Sequence, residues 1–323
     1  MNSLSNSTYK IKATSDQVKE MIEYYQGYLI NVTSNYMIAR AKVTNATITF
    51  YRTNVVLFQG SGATNEYLIW AKQYNLPLDD IKETPTTNYS ELSVIGTDEV
   101  GTGDYFGPVV VCATFVSHEN IEKLRLMGVK DSKMLTDSQI IPLSLKIAQF
   151  IPYSIIYLDA EKLNLLSKKE YNLNFVKAYL HNKSINSILK KYPEVKYDAI
   201  LIDEFTPREK YLDYLKNSQN VIENITTIKR GEQAHIAIAA ASILARAAFL
   251  KEMQKLSKTY DMPILKGAGH EVDRNAISFV KSFGWKELFK VAKIKFANTE
   301  RVKEYFISNP LPKSRQDGFD KFI

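Results

Sequence analysis

Apolar positions are spaced differently in the two parts of this chain: short alternating runs up to about residue 75, and longer, nearly unbroken runs from residue 92 onward. In the first part TYKIKA (8–13) predicts a strand, and Thr14 with Gln17 matches a capping box ahead of Val18, Met21, Ile22 and Tyr25 at helical spacing. YMIARAKV (36–43), ATITFYR (46–52) and NVVLFQ (54–59) predict consecutive short strands, followed by a helix over roughly 64–75. The expected unit is a small α+β domain, a curved antiparallel sheet backed by helices. On its strands Tyr36, Arg40, Lys42, Phe50, Tyr51 and Arg52 leave two readings open: a basic, aromatic surface for nucleic acid, or aromatics in the core with solvated charges.

In the second part LSVIGTDEVG (92–101), PVVVCATFV (108–116), YSIIYLD (153–159) and YDAILIDEF (197–205) read as strands, alternating with helices after the first two. Apolar residues at nearly every position are typical of strands buried on both faces of an α/β sheet. From Glu232 to about Tyr260 an alanine-rich stretch without Gly or Pro predicts one long, largely buried helix. Between the parts, DDIKETPTTNYSE (79–91) contains Pro85, lacks apolar periodicity and reads as a linker. The expected domains are 1–85 and 90–310.

No apolar run approaches the ~20 residues that span a bilayer. The polar start MNSLSNSTYK lacks the order of a signal peptide, so a cytoplasmic protein is expected, with no membrane partner. The only cysteine, Cys112, lies in an apolar run, which rules out an intrachain disulfide or a Cys-based zinc site and suggests a buried thiol. Lys and Arg number 42 against 35 Asp and Glu, a net +7 that permits a polyanionic partner without requiring one. Up to residue 89 the balance is 8 basic to 7 acidic, and beyond it 34 to 28, so the excess belongs to the larger part.

Asp98 and Glu99 end one predicted strand and Asp203 ends another. Ligands of open α/β sheets gather at the carboxyl ends of strands, so three carboxylates are expected at a single edge. Adjacent strand residues face opposite sides, so Asp98 and Glu99 can share a site only where the pleat breaks, and Gly101 and Gly103 are expected to break it. Clustered acids repel one another and resist desolvation, a cost that bound cations offset. Oxygen-only donors favour hard ions such as Mg²⁺ or Mn²⁺.

DEVGTGDYFGPVVV (98–111) resembles the opening signature of type 2 ribonucleases H. Further family motifs follow in order: DSKML (131–135), LIDEF (201–205) and AHIAIAAASILAR (234–246). The GTGD form of the glycine turn, the extra N-terminal domain and KGAG (266–269) resemble the HIII branch. This resemblance implies a ribonuclease H-like catalytic domain, with a central mixed sheet flanked by helices. It also implies a TATA-binding-protein-like N-terminal domain that binds substrate.

The implied activity is endonucleolytic hydrolysis of the RNA strand of RNA–DNA hybrids with Mg²⁺ or Mn²⁺, two ions per site once substrate is bound, by a monomer without an obligate protein partner. The implied catalytic and metal-binding residues are Asp98, Glu99, Asp203 and Glu232. Gly101, Thr102 and Gly103 are candidates for backbone contact with nucleic acid, and Ser132 and Lys133 for phosphate contact. The HII branch carries a tyrosine where KGAG has Ala268, and the resemblance implies that this tyrosine packs against the deoxyribose beyond an RNA–DNA junction.

Other readings fit less well. The glycine-rich segment imitates a kinase loop, but the next strand carries no lysine and none of His118, His181, His235 and His270 begins an HRD triplet. A dinucleotide site needs its glycines to open a helix, whereas Pro108 and a valine run continue as strand here. A non-catalytic basic nucleic-acid-binding protein is the alternative; it has no need of four acids at these positions. His235, one turn beyond Glu232, is expected to be structural, and Arg246, ~20 Å further along a continuous helix, an ion-pair partner.

Overall fold

Alternation with a period of two builds the N-terminal sheet of the computed structural model, which describes residues 7–32, 34–60, 62–76, 89–169 and 171–310. Its strands are β1 (Ser7–Lys12), β2 (Leu29–Ile30), β3 (Met37–Val43), β4 (Ala46–Tyr51) and β5 (Val55–Gly60), in the order β1-β5-β4-β3-β2 with every pair antiparallel. Helices α1 (Ser15–Tyr24) and α2 (Ala63–Gln73) share one core with the inward residues Ile11, Ala39, Ala41, Ile48, Phe50, Val56 and Phe58. The capping box at Thr14 and Gln17 is present. Phe50 therefore belongs to the core, whereas Tyr36 is exposed and Tyr51 half-buried. Arg40 and Lys42 point outward, and the register places Lys10 and Lys12 of β1 on the same face.

The chain divides into two compact units, Met1–Thr87 and Asn88–Ile323. The expected boundary near residue 85, and most of the expected linker, lie outside the described residues.

In the second unit, β6 (Val94–Val100), β7 (Val109–Val116), β8 (Tyr153–Leu158), β9 (Ala199–Asp203) and β10 (Thr226–Ile228) form a mixed sheet ordered β10-β9-β6-β7-β8. β6, β7 and β8 pair antiparallel, while β9 runs parallel to both β6 and β10. The helices are α3 (His118–Leu126), α4 (Asp137–Phe150), α5 (Ala160–Lys168), α6 (Leu173–Lys191), α7 (Arg208–Leu215), α8 (Gly231–Ala234), α9 (Ile236–Thr259), α10 (His270–Val291) and α11 (Ala297–Ser308). α9 covers one face of β6 and β7 and α6 the other. Gly96 allows the first contact, because a Cβ there would lie 2.5 Å from the Ile238 nitrogen.

The single long helix expected from Glu232 is instead two. His235 is extended (φ −151°, ψ 138°) and accepts a hydrogen bond at Nδ1 from the Ala237 N–H, capping α9. A side chain able to satisfy an unpaired helix-end N–H makes a new start locally favourable despite uniform helix propensity. His235 is buried, its Nε2 lies 3.2 Å from the Leu92 carbonyl oxygen, and burial lowers its pKa to about 4, so it is structural as expected.

Candidate active site

Parity along β6 sorts the acids. Val94, Gly96 and Asp98 face α9, while Ile95, Thr97 and Glu99 face α6. The ladder continues past both acids, with Asp98 opposite Cys112, Glu99 opposite Val111 and Val100 opposite Val110. The break thus comes at Gly101, as expected, but after both acids rather than between them. Extended pairing with β7 holds the two carboxylates on opposite faces, and the chain turns only at Gly101 (φ +93°), where a Cβ would lie 2.3 Å from the Pro108 carbonyl oxygen.

On the α9 face, Asp98 is 5% exposed. Burial and the charge of Glu99 push its carboxyl well above the ordinary range, Asp203 and Glu232 push the same way, and a hydrogen bond with Ser242 opposes them. Asp203, at the end of β9, accepts a 2.7 Å hydrogen bond from the Gly231 N–H, which ties that strand end to α8. Glu232 on α8 accepts from the Ser132 N–H at 2.6 Å and from the Ser242 hydroxyl at 2.8 Å. Its carboxyl is raised by burial and by a hydrogen bond with Asp131.

Asp203 and Glu232 thus act on Asp98 from its own face of the sheet, and Glu99 acts on it from the other. Glu99 Oε1 is 2.7 Å from Lys177 Nζ, and Oε2 is 2.9 Å from His181 Nε2. Burial alone would raise its carboxyl, but the hydrogen bonds and charges of His181 and Lys177 outweigh it and hold the group low. Thr97 Oγ1 lies 2.8 Å from His181 Nδ1, so both ring nitrogens of His181 are engaged.

Sequence reading assigned no role to Lys177, His181 or Asp131. The first two signal themselves only by i, i+4 spacing on a helix distant in sequence from Glu99, and Asp131 only as part of DSK.

Among the described residues, no three His, Cys, Asp or Glu side chains converge into a ready-made cation cage. The donor set still suits a hard divalent ion. Asp98, Asp203 and Glu232 offer only oxygens, and the mutual repulsion expressed at Asp98 is relieved by positive charge. Cys112 supplies no soft donor, because its buried thiol is pushed well above its usual range by burial and by Asp98.

A family model described as Ribonuclease HII matches residues 95–299, and one described as a domain of unknown function matches residues 9–82. Ribonuclease HIII of Enterococcus faecalis is 40% identical over 298 residues, 91% of this chain and 97% of its own. The chain belongs to the type 2 ribonuclease H family, in its HIII branch. Ribonuclease HIII of Bacillus cereus is 40% identical over 307 residues, covering 93% of this chain and 98% of its own. The crystal structure of Bst-RNase HIII in complex with Mn²⁺ superimposes with a TM-score of 0.67 at 34% identity, covering 93% of this chain and 99% of that one. The residues matched by the ribonuclease HII model lie in the mixed-sheet unit, which also carries the four ordered motifs.

The other motifs of this HIII chain surround the acids. Ser132 is buried and committed to Glu232 and Ser242, so of the DSK pair only Lys133 is exposed. Arg246 donates to the Ser132 and Leu135 carbonyls and pairs with Asp137 at 2.7 Å, so this structural ion pair also fixes the segment that holds Glu232.

The glycine turn is locked to KGAG. Tyr105 N–H donates to the Gly267 carbonyl at 2.8 Å, and Gly267 N–H donates to Asp104 Oδ1 at 2.6 Å. Lys293 is buried, with its pKa lowered by burial to about 7, and donates to the Asp104 and Phe106 carbonyls. Gly103 and Thr102 remain accessible at the tip, whereas Gly101 is buried.

Proposed function

We propose that this ribonuclease H is an endonuclease that hydrolyses the RNA strand of RNA–DNA hybrids at the edge formed by Asp98, Asp203 and Glu232, with Glu99 reaching it from the other face. The observation that carries the reading is the carboxyl of Asp98, buried and raised by three neighbouring acids, an arrangement that divalent cations stabilise. Two hard ions, Mg²⁺ or Mn²⁺, would be held by Asp98, Asp203, Glu232 and Glu99 and would supply Lewis-acid chemistry for phosphodiester hydrolysis to 5′-phosphate and 3′-hydroxyl ends.

The protein's own residues bind and orient. The tip of the glycine turn brings backbone groups of Thr102 and Gly103 to the strand, where a 2′-hydroxyl distinguishes RNA from DNA. Lys133 is exposed for a phosphate. None of the four acids lines the cavity of about 800 Å³ between β8, α6 and α7; Glu232 instead lines one of about 160 Å³ together with Arg125 and Lys130. No helix among the described residues is long and apolar enough to cross a membrane.

The test is cleavage of end-labelled hybrid against duplex RNA, duplex DNA and single strands, each with Mg²⁺ and with Mn²⁺. Selective cutting of the hybrid's RNA strand is expected. Hydrolysis of duplex DNA at a comparable rate would overturn the reading, and tight hybrid binding without cutting would favour a non-catalytic binding protein.

The N-terminal unit is proposed to bind the hybrid through the outer face of its sheet. Lys10, Lys12, Arg40 and Lys42 lie there and offer positive charge to backbone phosphates. Deleting residues 1–85 is expected to raise KM about tenfold or more while kcat stays within about threefold, because the contacts are uniform in ground and transition states. Unchanged affinity for hybrid would make the unit a regulatory or partner-binding module instead.

A further inference from the structure

Lys177 is 8% exposed, yet carries an ammonium group into the sheet–helix interface. It meets Glu99 Oε1 at 2.7 Å and lies over the Phe205 ring, 4.2 Å from its centroid. His181, one helical turn along, stacks on the same ring and binds the other oxygen of Glu99. Both oxygens of this carboxylate are thus taken by groups of the protein, on the face opposite Asp98, Asp203 and Glu232. A divalent ion held by those three acids leaves the arrangement undisturbed. An ion that also draws on Glu99 competes with Lys177 at Oε1, and its charge repels the ammonium held there.

We propose that Lys177 is a resident monocation that reserves Glu99 and delays the second divalent ion until a substrate phosphate gives its ammonium another anionic partner. The inference rests on the metal-dependent reading above. Lysine suits the task, as a compact point charge on a flexible four-carbon stem that can leave one anion for another. His181 is the complementary positioning residue: fully buried and fixed by Thr97 and Phe205, it keeps hold of Glu99 while Lys177 moves.

The experiment titrates Mn²⁺ into the full-length protein without substrate, reading free ion by its electron paramagnetic resonance signal, and measures kcat and KM on hybrid in parallel. Lys177→Gln keeps a donor to Glu99 but removes the charge. Its Mn²⁺ affinity is expected to rise about tenfold, while kcat falls at least about tenfold and KM stays within about twofold. Lys177→Arg is expected to stay close to wild type in Mn²⁺ affinity. A purely structural lysine would instead give unchanged or weaker Mn²⁺ binding, and that result in a variant with a wild-type melting temperature overturns the proposal. Should Lys177→Gln melt early, Lys177→Met, which preserves the packing of the stem, is held to the same criterion. Failure of the wild-type chain to cut hybrid overturns the nuclease reading, whereas an active wild type with unchanged binding in Lys177→Gln overturns only the role of Lys177.

Discussion

Asp98→Asn is expected to remove metal-dependent cleavage while leaving the metal-free protein at least as stable, whereas Glu99→Gln removes cleavage and costs stability. Both losses of activity should reach roughly 10³-fold, the scale on which a fixed electrostatic group at a reacting centre acts. The opposite signs in stability follow from the two faces of β6. Asp98 is buried among like charges, so a neutral amide of the same shape relieves repulsion. Glu99 is the counter-ion of buried Lys177 and the acceptor for His181, so its amide strands a positive charge, at a cost of about 3 kcal/mol. Asp203→Asn should resemble Asp98→Asn, since an amide oxygen can still accept from the Gly231 N–H. Thermal melts in chelator and single-turnover cleavage of hybrid check both parts. Near-normal turnover in any of the three would remove that residue from the metal site. A Glu99→Gln variant as stable as Asp98→Asn would refute the two-faced arrangement.

Efficient cutting within runs of several ribonucleotides, and poor cutting at a single ribonucleotide embedded in duplex DNA, is the second expected result. In KGAG, Ala268 offers a methyl where the HII branch has a tyrosine. Aromatic contacts to nucleic acid are worth ~1–3 kcal/mol, so roughly ten- to a hundredfold in rate should be missing at the junction if the contact is felt in the transition state. The nearby aromatics do not replace it. Tyr105 and Phe106 are fully buried, with the Tyr105 hydroxyl 3.0 Å from Thr299 Oγ1, and they pack into the core rather than toward a duplex. Ala268 itself is fixed, because its carbonyl accepts from Asn298 Nδ2 at 3.0 Å. Equal rates on the two substrates, assayed side by side, would overturn the argument from Ala268.

The sequence alone determined the elements whose signals are local. Period-two alternation placed β3, β4 and β5, the Thr14–Gln17 spacing placed the start of α1, and continuous apolar runs marked β6, β7 and β9 as central strands. The ordered motifs determined the family for the same reason, since each is a contiguous run of residues. Local signals also misled. The uniform alanine-rich stretch hid the break at His235, because a single side-chain cap is invisible to a composition average.

Only the tertiary structure decided which acids share a face. Whether a strand is still paired at Asp98 and Glu99 depends on how far β7 continues beside it, a partner reached through the glycine turn, and that pairing separates carboxylates that are neighbours in sequence. The partners of Glu99 are also long-range: Lys177 and His181 lie 78 and 82 residues away and carry no motif of their own. Charge–charge contacts inside a core arise from packing of whole layers, so no window of sequence contains them. In the same way the polar residues of DSK divide between a buried serine holding Glu232 and an exposed lysine only because Arg246 anchors that segment against α9.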